Sequence, residues 1–76
     1  MKEGGLEAKL LQAHAMEDVP ALISLYAQAA DQAESESATD RACFFLTHAW
    51  IFALEAGDAR AAKLKARLVA HGRDIM

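Results

Sequence analysis

ACFFLTHAWIFALEA, residues Ala42–Ala56, holds all three Phe residues and the only Trp of the 76-residue chain. Its strongly polar members are Thr47, His48 and Glu55. A window this apolar is expected to be buried on most of its circumference. It falls short of the roughly 20 apolar residues needed to cross a bilayer, and His48 sits in its middle. The stretch reads as the central helix of a small helical domain, with no membrane partner.

Composition agrees. Ala dominates the 54% hydrophobic content, β-branched residues are few, and four Gly and one Pro leave little to break a helix. That profile predicts an all-α fold. A chain of this size buries only about 60–65% of its unfolded surface, so its core is marginal. One Cys excludes an internal disulfide, and no Cys/His cluster suggests structural zinc. Self-association is the remaining route to stability.

The net charge of −3 conceals two unlike halves. Residues 1–40 carry Lys2 and Lys9 against eight acids, and residues 41–76 carry six bases against Glu55, Asp58 and Asp74. Such halves attract one another, within one chain or between two. The acidic total and the lack of an Arg-rich or aromatic-interleaved motif argue against nucleic acid. MKEGGLEAKL lacks a signal peptide's apolar core, and with a lone thiol this predicts a cytoplasmic protein.

Outward from the central stretch, the punctuation predicts four short antiparallel helices in one domain over 6–76. Residues 1–5 form a disordered lead-in, because Gly4-Gly5 weakens a helix. The helices are expected at about 6–16, 19–34, 40–56 and 59–71. Leu6, Leu10, Leu11 and Ala13 give the first its apolar face. Asp18 caps the second and Pro20 fits its first turn. Leu22, Tyr26, Ala29 and Ala33 form its stripe, flanked by Ile23, Leu25 and Ala30. The Ser-rich run 34–40 reads as a loop and hinge. Thr39 or Asp40 caps the third helix, Gly57 ends it, Asp58 caps the fourth and Gly72 stops it. In the fourth helix Ala61, Leu64 and Leu68 form one apolar row, and Ala62, Ala66 and Val69 a neighbouring one. His71 falls in a fraying end.

A shift of 40 residues lays Leu6, Leu10, Ala13, Asp18, Ala21, Leu22, Tyr26 and Ala29 onto Leu46, Trp50, Ala53, Asp58, Ala61, Ala62, Ala66 and Val69. Both halves read as helix, acidic cap, helix. Cys43-Phe44-x-Leu46-x-x-Ala49-Trp50, followed by Gly57-Asp58 and Ala62, resembles a tetratricopeptide-repeat helix hairpin. Leu22, Tyr26 and Ala29 stand where that family places small and aromatic residues of its second helix. Thr47 replaces the usual Gly, and the Gly-Asp turn comes about one helical turn late. The resemblance implies two stacked hairpins that bind another protein through their first helices. A small four-helix bundle would give nearly the same pattern.

On the third helix, Asp40, Thr47, His48 and Glu55 share a side with Phe44 and Ile51. Either a neighbouring helix covers these two apolar groups, or they anchor a contact with a second copy or a protein partner. His48 and Glu55 would flank that contact. Arg60, Lys63 and Arg67 form a basic row that is either a solvated face or a guide for an acidic partner. Cys43, near a helix start and beside Arg41, is either a buried inert thiol or a reactive one. No His-Glu-x-x-His, Gly-x-Ser-x-Gly or phosphate-cradling Gly loop occurs, so no enzyme, cofactor or metal site is expected. The favoured reading is a non-enzymatic helical association module, self-associating as a homodimer or docking onto a protein. The alternative is a small-ligand or metal-binding helical protein using His48 with Glu55 or Cys43.

Overall fold

The computed structural model describes residues 5–72. They form α1 (Gly5–Ala15), α2 (Val19–Ser35), α3 (Thr39–Ala56) and α4 (Arg60–Ala70), and no strand occurs among them. The fold is all-α, as composition predicts. Met1–Gly4 of the expected lead-in lie outside the described residues, and Gly5 is the first residue of α1.

One turn, used three times, organises the chain. The N–H groups of Asp18, Ala38 and Asp58 donate to the carbonyls of Ala13, Ala33 and Ala53 at 2.9, 2.8 and 2.8 Å. One residue earlier, Glu17, Ser37 and Gly57 donate to His14, Glu34 and Leu54 at 3.1, 3.0 and 3.1 Å. This bond pair defines the Schellman reversal, which satisfies carbonyls that a helix end would leave orphaned. The central residue must be left-handed, and φ is 53° at Glu17, 60° at Ser37 and 66° at Gly57. Ala13, Ala33 and Ala53 are all buried, and their size lets the next helix pass close to the turn. The 40-residue echo is thus two steps of a reversal recurring at positions 13, 33 and 53.

This turn corrects the expected loop at 34–40. α2 continues through Ser35 and leaves only Glu36–Ala38 between helices. Arg41 pairs with Glu36 across the reversal. Neither Thr39 nor Asp40 caps α3: Ala38 holds that place and makes no side-chain bond. Asp40 lies in the first turn, where a carboxylate complements the helix dipole. Asp18 caps α2 as expected, whereas Ala59 holds the cap place of α4 without a side-chain bond and Asp58 supports the first turn from one residue earlier. Asp18 Oδ1 accepts from the Ala21 N–H at 3.3 Å, and Asp58 Oδ1 from the Arg60 N–H at 2.8 Å.

Each helix packs chiefly on its neighbours in sequence, and α1 and α4 share no substantial interface. The arrangement is an open row, not a closed bundle. Ser24, Asp31 and Glu34 of α2 bond to Arg60, Arg67 and His71 of α4, so the two helices run in the same direction. His14 of α1 meets Phe52 of α3 edge-on at 6.0 Å. Two thin layers result, α1 with α3 and α2 with α4, and the Cα extents are 34 × 30 × 14 Å.

The core is Ile23 and Ala30 of α2, Cys43, Leu46, Ala49 and Ala53 of α3, and Leu64 and Leu68 of α4. α3 therefore lies at its centre, but not as a helix buried all round. It turns its small residues inward and leaves Phe44 56%, Ile51 44% and Leu54 53% exposed. The physical reason is that α2 and α4 occupy only its inner side, where Ala and Cys allow close approach. α1 is bound more thinly. Ala13 is its one buried residue among those described, and Leu11, expected on its inner face, is 67% exposed.

Candidate functional site

The sequence leaves open whether Phe44 and Ile51 are covered by another helix. In the structure both lie on the outer surface of the α1–α3 layer. His48 adjoins them, its ring 4.4 Å from that of Phe44 between centroids. Glu55, further along α3, is exposed. These four residues are spaced so that one side of α3 carries them all.

Beneath this surface lies an aromatic cluster centred on Tyr26 of α2. Its ring stacks on His48 at 5.1 Å and Phe52 at 5.9 Å, and meets Phe45 at 6.2 Å. Its hydroxyl and His14 Nε2 are 2.9 Å apart. The cluster ties α1, α2 and α3 together and gives His48 a fixed pose. A carbonyl can only accept, so His48 Nδ1–H donates to the Phe44 carbonyl at 2.9 Å. The neutral ring then keeps its lone pair on Nε2.

Of the two pairings open to His48, the one with Cys43 is not brought together. Cys43 is buried in the core, whereas His48 stacks among aromatic rings of the outer layer. Thr47 is bonded locally, its hydroxyl donating to the Cys43 carbonyl at 2.8 Å. No group of three or more His, Cys, Asp or Glu residues placed to hold a metal ion occurs among the described residues. No helix among them is long and apolar enough to cross a membrane.

The basic row is used inside the chain. Arg60 grips Asp58 through Nε at 3.0 Å and Nη2 at 2.9 Å, and reaches Ser24 Oγ through Nη1 at 2.8 Å. Arg67 donates to Asp31 at 2.7 Å and Glu34 at 2.8 Å, and His71 meets Glu34 at 2.7 Å. Arg60 and Arg67, candidates for an outside partner, thus bind α4 to α2, and Lys63 is the exposed member of the row. His71 is not frayed but held. Hydrogen bonds from Arg60 bring the Asp58 carboxyl down to about 2. Glu34 is likewise lowered, first by its hydrogen bond with His71 and then by Arg67. Attraction between the unlike halves is realised here within one chain, although Asp31, Glu34 and Ser24 were not among the sequence candidates. The faint signal for them is spacing: Asp31 and Glu34 are one turn apart, as are Arg67 and His71.

A second apolar surface lies at the far end of the row. Trp50 and Leu54 of α3 with Ala61, Ala62, Lys65, Ala66 and Val69 of α4 line an open groove of about 700 Å³. The Lys65 ammonium stands 6.0 Å from the Trp50 ring centroid. A second groove, of about 420 Å³, opens between the start of α1 and the α2–α3 turn, where Leu6, Leu10 and Phe45 are rimmed by Glu7, Glu36 and Arg41. Comparison of the chain with family models, with curated proteins and with solved structures gives no match.

Proposed function

We propose that this chain is a non-enzymatic helical association module, self-associating or docking onto another protein, with α3 at the contact. The observation that supports it is the orientation of α3: small residues inward, Phe44 and Ile51 outward. Large apolar groups gathered on one surface mark binding faces, whereas single scattered ones do not. Phe44 supplies an aromatic anchor, and His48 and Glu55 supply polar edges. The layered pairing is in keeping with the tetratricopeptide-like resemblance, in which the first helices, here α1 and α3, receive the partner. Leu11, exposed on α1, stands 40 positions before Ile51, at the equivalent place of the first hairpin.

The test is sedimentation velocity over a wide concentration range, with hydrophobic-dye binding alongside, on wild type and Phe44→Asp/Ile51→Asp. The wild type is expected to associate as concentration rises. The double variant is expected to keep its helicity and melting temperature while binding less dye. A wild type that stays monomeric throughout, with dye binding unaltered in the variant, removes the reading.

A further inference from the structure

The apolar strip along the outside of α3 does not end at Phe44. The Phe44 ring meets Phe45 edge-on at 5.5 Å, and Phe45 lines the groove shared with Leu6 and Leu10 of α1. Apolar surface is therefore continuous from that groove through Phe44 to Ile51, one turn short of Glu55. Its pose is set from below, since Tyr26 stacks on His48 and meets Phe45. A face held in this way loses little freedom when a partner settles on it.

The charged groups around the strip are mostly of one sign. Glu7 and Glu36 rim it at one end, Asp40 stands one turn before Phe44, and Glu55 closes the other end. Against these four carboxylates, α1 and α3 bring two bases among the described residues. Arg41 is held by Glu36, and Lys9 borders a different groove with Ser24 and Leu25 of α2. The other described cations, Arg60, Lys63, Lys65 and Arg67, all belong to α4 in the opposite layer. Asp40 is engaged within the chain, but Glu7 and Glu55 are exposed and enter no ion pair among the described residues. His48 spends its Nδ1–H on the Phe44 carbonyl, and its neutral ring has only an acceptor left at Nε2. The strip thus offers negative charge and acceptors, and no charged donor except an arginine already bound.

We infer that this strip is the docking surface for a cationic amphipathic helix of another protein, whose apolar stripe covers Phe44 and Ile51 while its lysines or arginines meet Glu55 and Glu7. The inference specifies the partner in the association reading and rests on that reading. Phe44 and Ile51 stand two turns apart, about 10 Å along α3, a spacing that apolar residues on a second helix reproduce. The exposed Phe44 ring also receives a cation over its face. A second copy is less suited to the strip. Laid antiparallel, it brings Glu55 up to Glu36, Asp40 and an Arg41 already bound; laid parallel, it sets Glu55 beside Glu55. Self-pairing on the strip therefore needs high concentration and yields to a cationic partner.

The probe is a fluorescently labelled amphipathic helix of Leu and Lys, about 18 residues long and so able to span the strip. A Leu/Glu twin with the same Leu pattern and an oligolysine of equal charge are its controls. Anisotropy is followed as the chain is titrated in at low and at higher salt. The Leu/Lys helix is expected to bind, less tightly as salt rises, and both controls at least about tenfold more weakly. Phe44→Ser/Ile51→Ser is expected to weaken binding by about tenfold or more. Glu55→Gln is expected to weaken it about two- to fivefold and to reduce the salt dependence. Leu54→Ser/Val69→Ser, on the α3–α4 groove, leaves it unchanged. All these side chains are exposed, and circular dichroism checks that each variant keeps its helices. Equal binding of the Leu/Glu twin through Phe44 and Ile51 overturns the inference and leaves the association reading standing. So does a self-associated chain that the Leu/Lys helix cannot dissociate. Equal binding of oligolysine, or binding that only Leu54→Ser/Val69→Ser removes, also overturns the inference. A Leu/Lys helix that never binds overturns it too, and the association reading falls with it only if the chain stays monomeric and Phe44→Asp/Ile51→Asp leaves dye binding unaltered.

Discussion

The hairpins α1–α2 and α3–α4 reverse through the same pair of backbone bonds, yet they are held to very different degrees. At the first, Glu17 is forced left-handed, Asp18 caps at 3.3 Å, and α1 gives no residue to the central cluster. At the second, Gly57 takes the left-handed place, Asp58 accepts from the Arg60 N–H at 2.8 Å, and α4 sends Leu64 and Leu68 into the core. α4 is also latched to α2 through Arg60, Arg67 and His71. Identical turn geometry therefore says little about local stability. What decides it is the packing and pairing behind the turn, so α2–α4 form the firm unit and α1 the labile one.

The largest effect is expected where both hairpins meet. Leu46 is fully buried at the centre of α3. Leu46→Ala removes its burial and leaves a cavity, a loss of about 2–5 kcal/mol. That is much of the stability of a small domain. Leu10→Ala, on a half-buried residue of α1, is expected to cost under about 2 kcal/mol. Urea unfolding measures both, and amide exchange separates them: Leu46→Ala accelerates every core amide, Leu10→Ala mainly those of α1. Equal, global effects would erase the distinction between a firm unit and a labile one.

The turns themselves provide the next contrast. A non-Gly residue in the left-handed region costs roughly 1–2 kcal/mol, and glycine relieves only part of this because its own larger unfolded entropy opposes folding. Glu17→Gly and Ser37→Gly are each expected to stabilise the chain by about 0.5–1 kcal/mol. Gly57→Ala is expected to destabilise it by a similar amount, although no atom lies within 4 Å of the added Cβ. Thermal unfolding followed by circular dichroism reads all three. Opposite signs at equivalent places would show that backbone conformation, not contact, sets the difference between the turns.

These turns also explain what could be read from the chain beforehand. Asp18, Pro20, Gly57, Asp58 and Gly72 mark helix ends because each suits a local backbone geometry, and those ends stand in the structure within a residue or two. Ser37 and Glu17 carry the same geometry without favouring it, so the middle reversal is concealed and 34–40 resembles a longer loop. Periodicity places Phe44, His48, Ile51 and Glu55 on one side of α3, but it does not say where the neighbours stand. Close approach selects Ala42, Cys43, Ala49 and Ala53 for the inside beside Leu46, while Phe44 and Ile51 are left outward. The basic row is visible in sequence, whereas its acidic partners on α2 emerge only once two helices run side by side.

Acid provides the smallest and most selective probe of the second hairpin. The Asp58 carboxyl has its pKa lowered from 3.8 to about 2 by Arg60, and Glu34 is lowered from 4.5, chiefly by its hydrogen bond with His71. A carboxylate that is more acidic when folded stabilises the fold fully above its unfolded pKa, and this contribution is lost as pH falls through the folded value. Stability is therefore expected to be level above about pH 4.5 with respect to these two groups and to decline towards pH 2. Asp58→Asn and Glu34→Gln are each expected to flatten that decline in a series of melting temperatures. Because both carboxylates hold α4, the exchange protection of α4 amides is expected to fall before that of α3. Were α1 alone to loosen in acid while α4 kept its protection, the ion pairs would be incidental to the firmness of the second hairpin, and Leu64 and Leu68 would suffice to hold it.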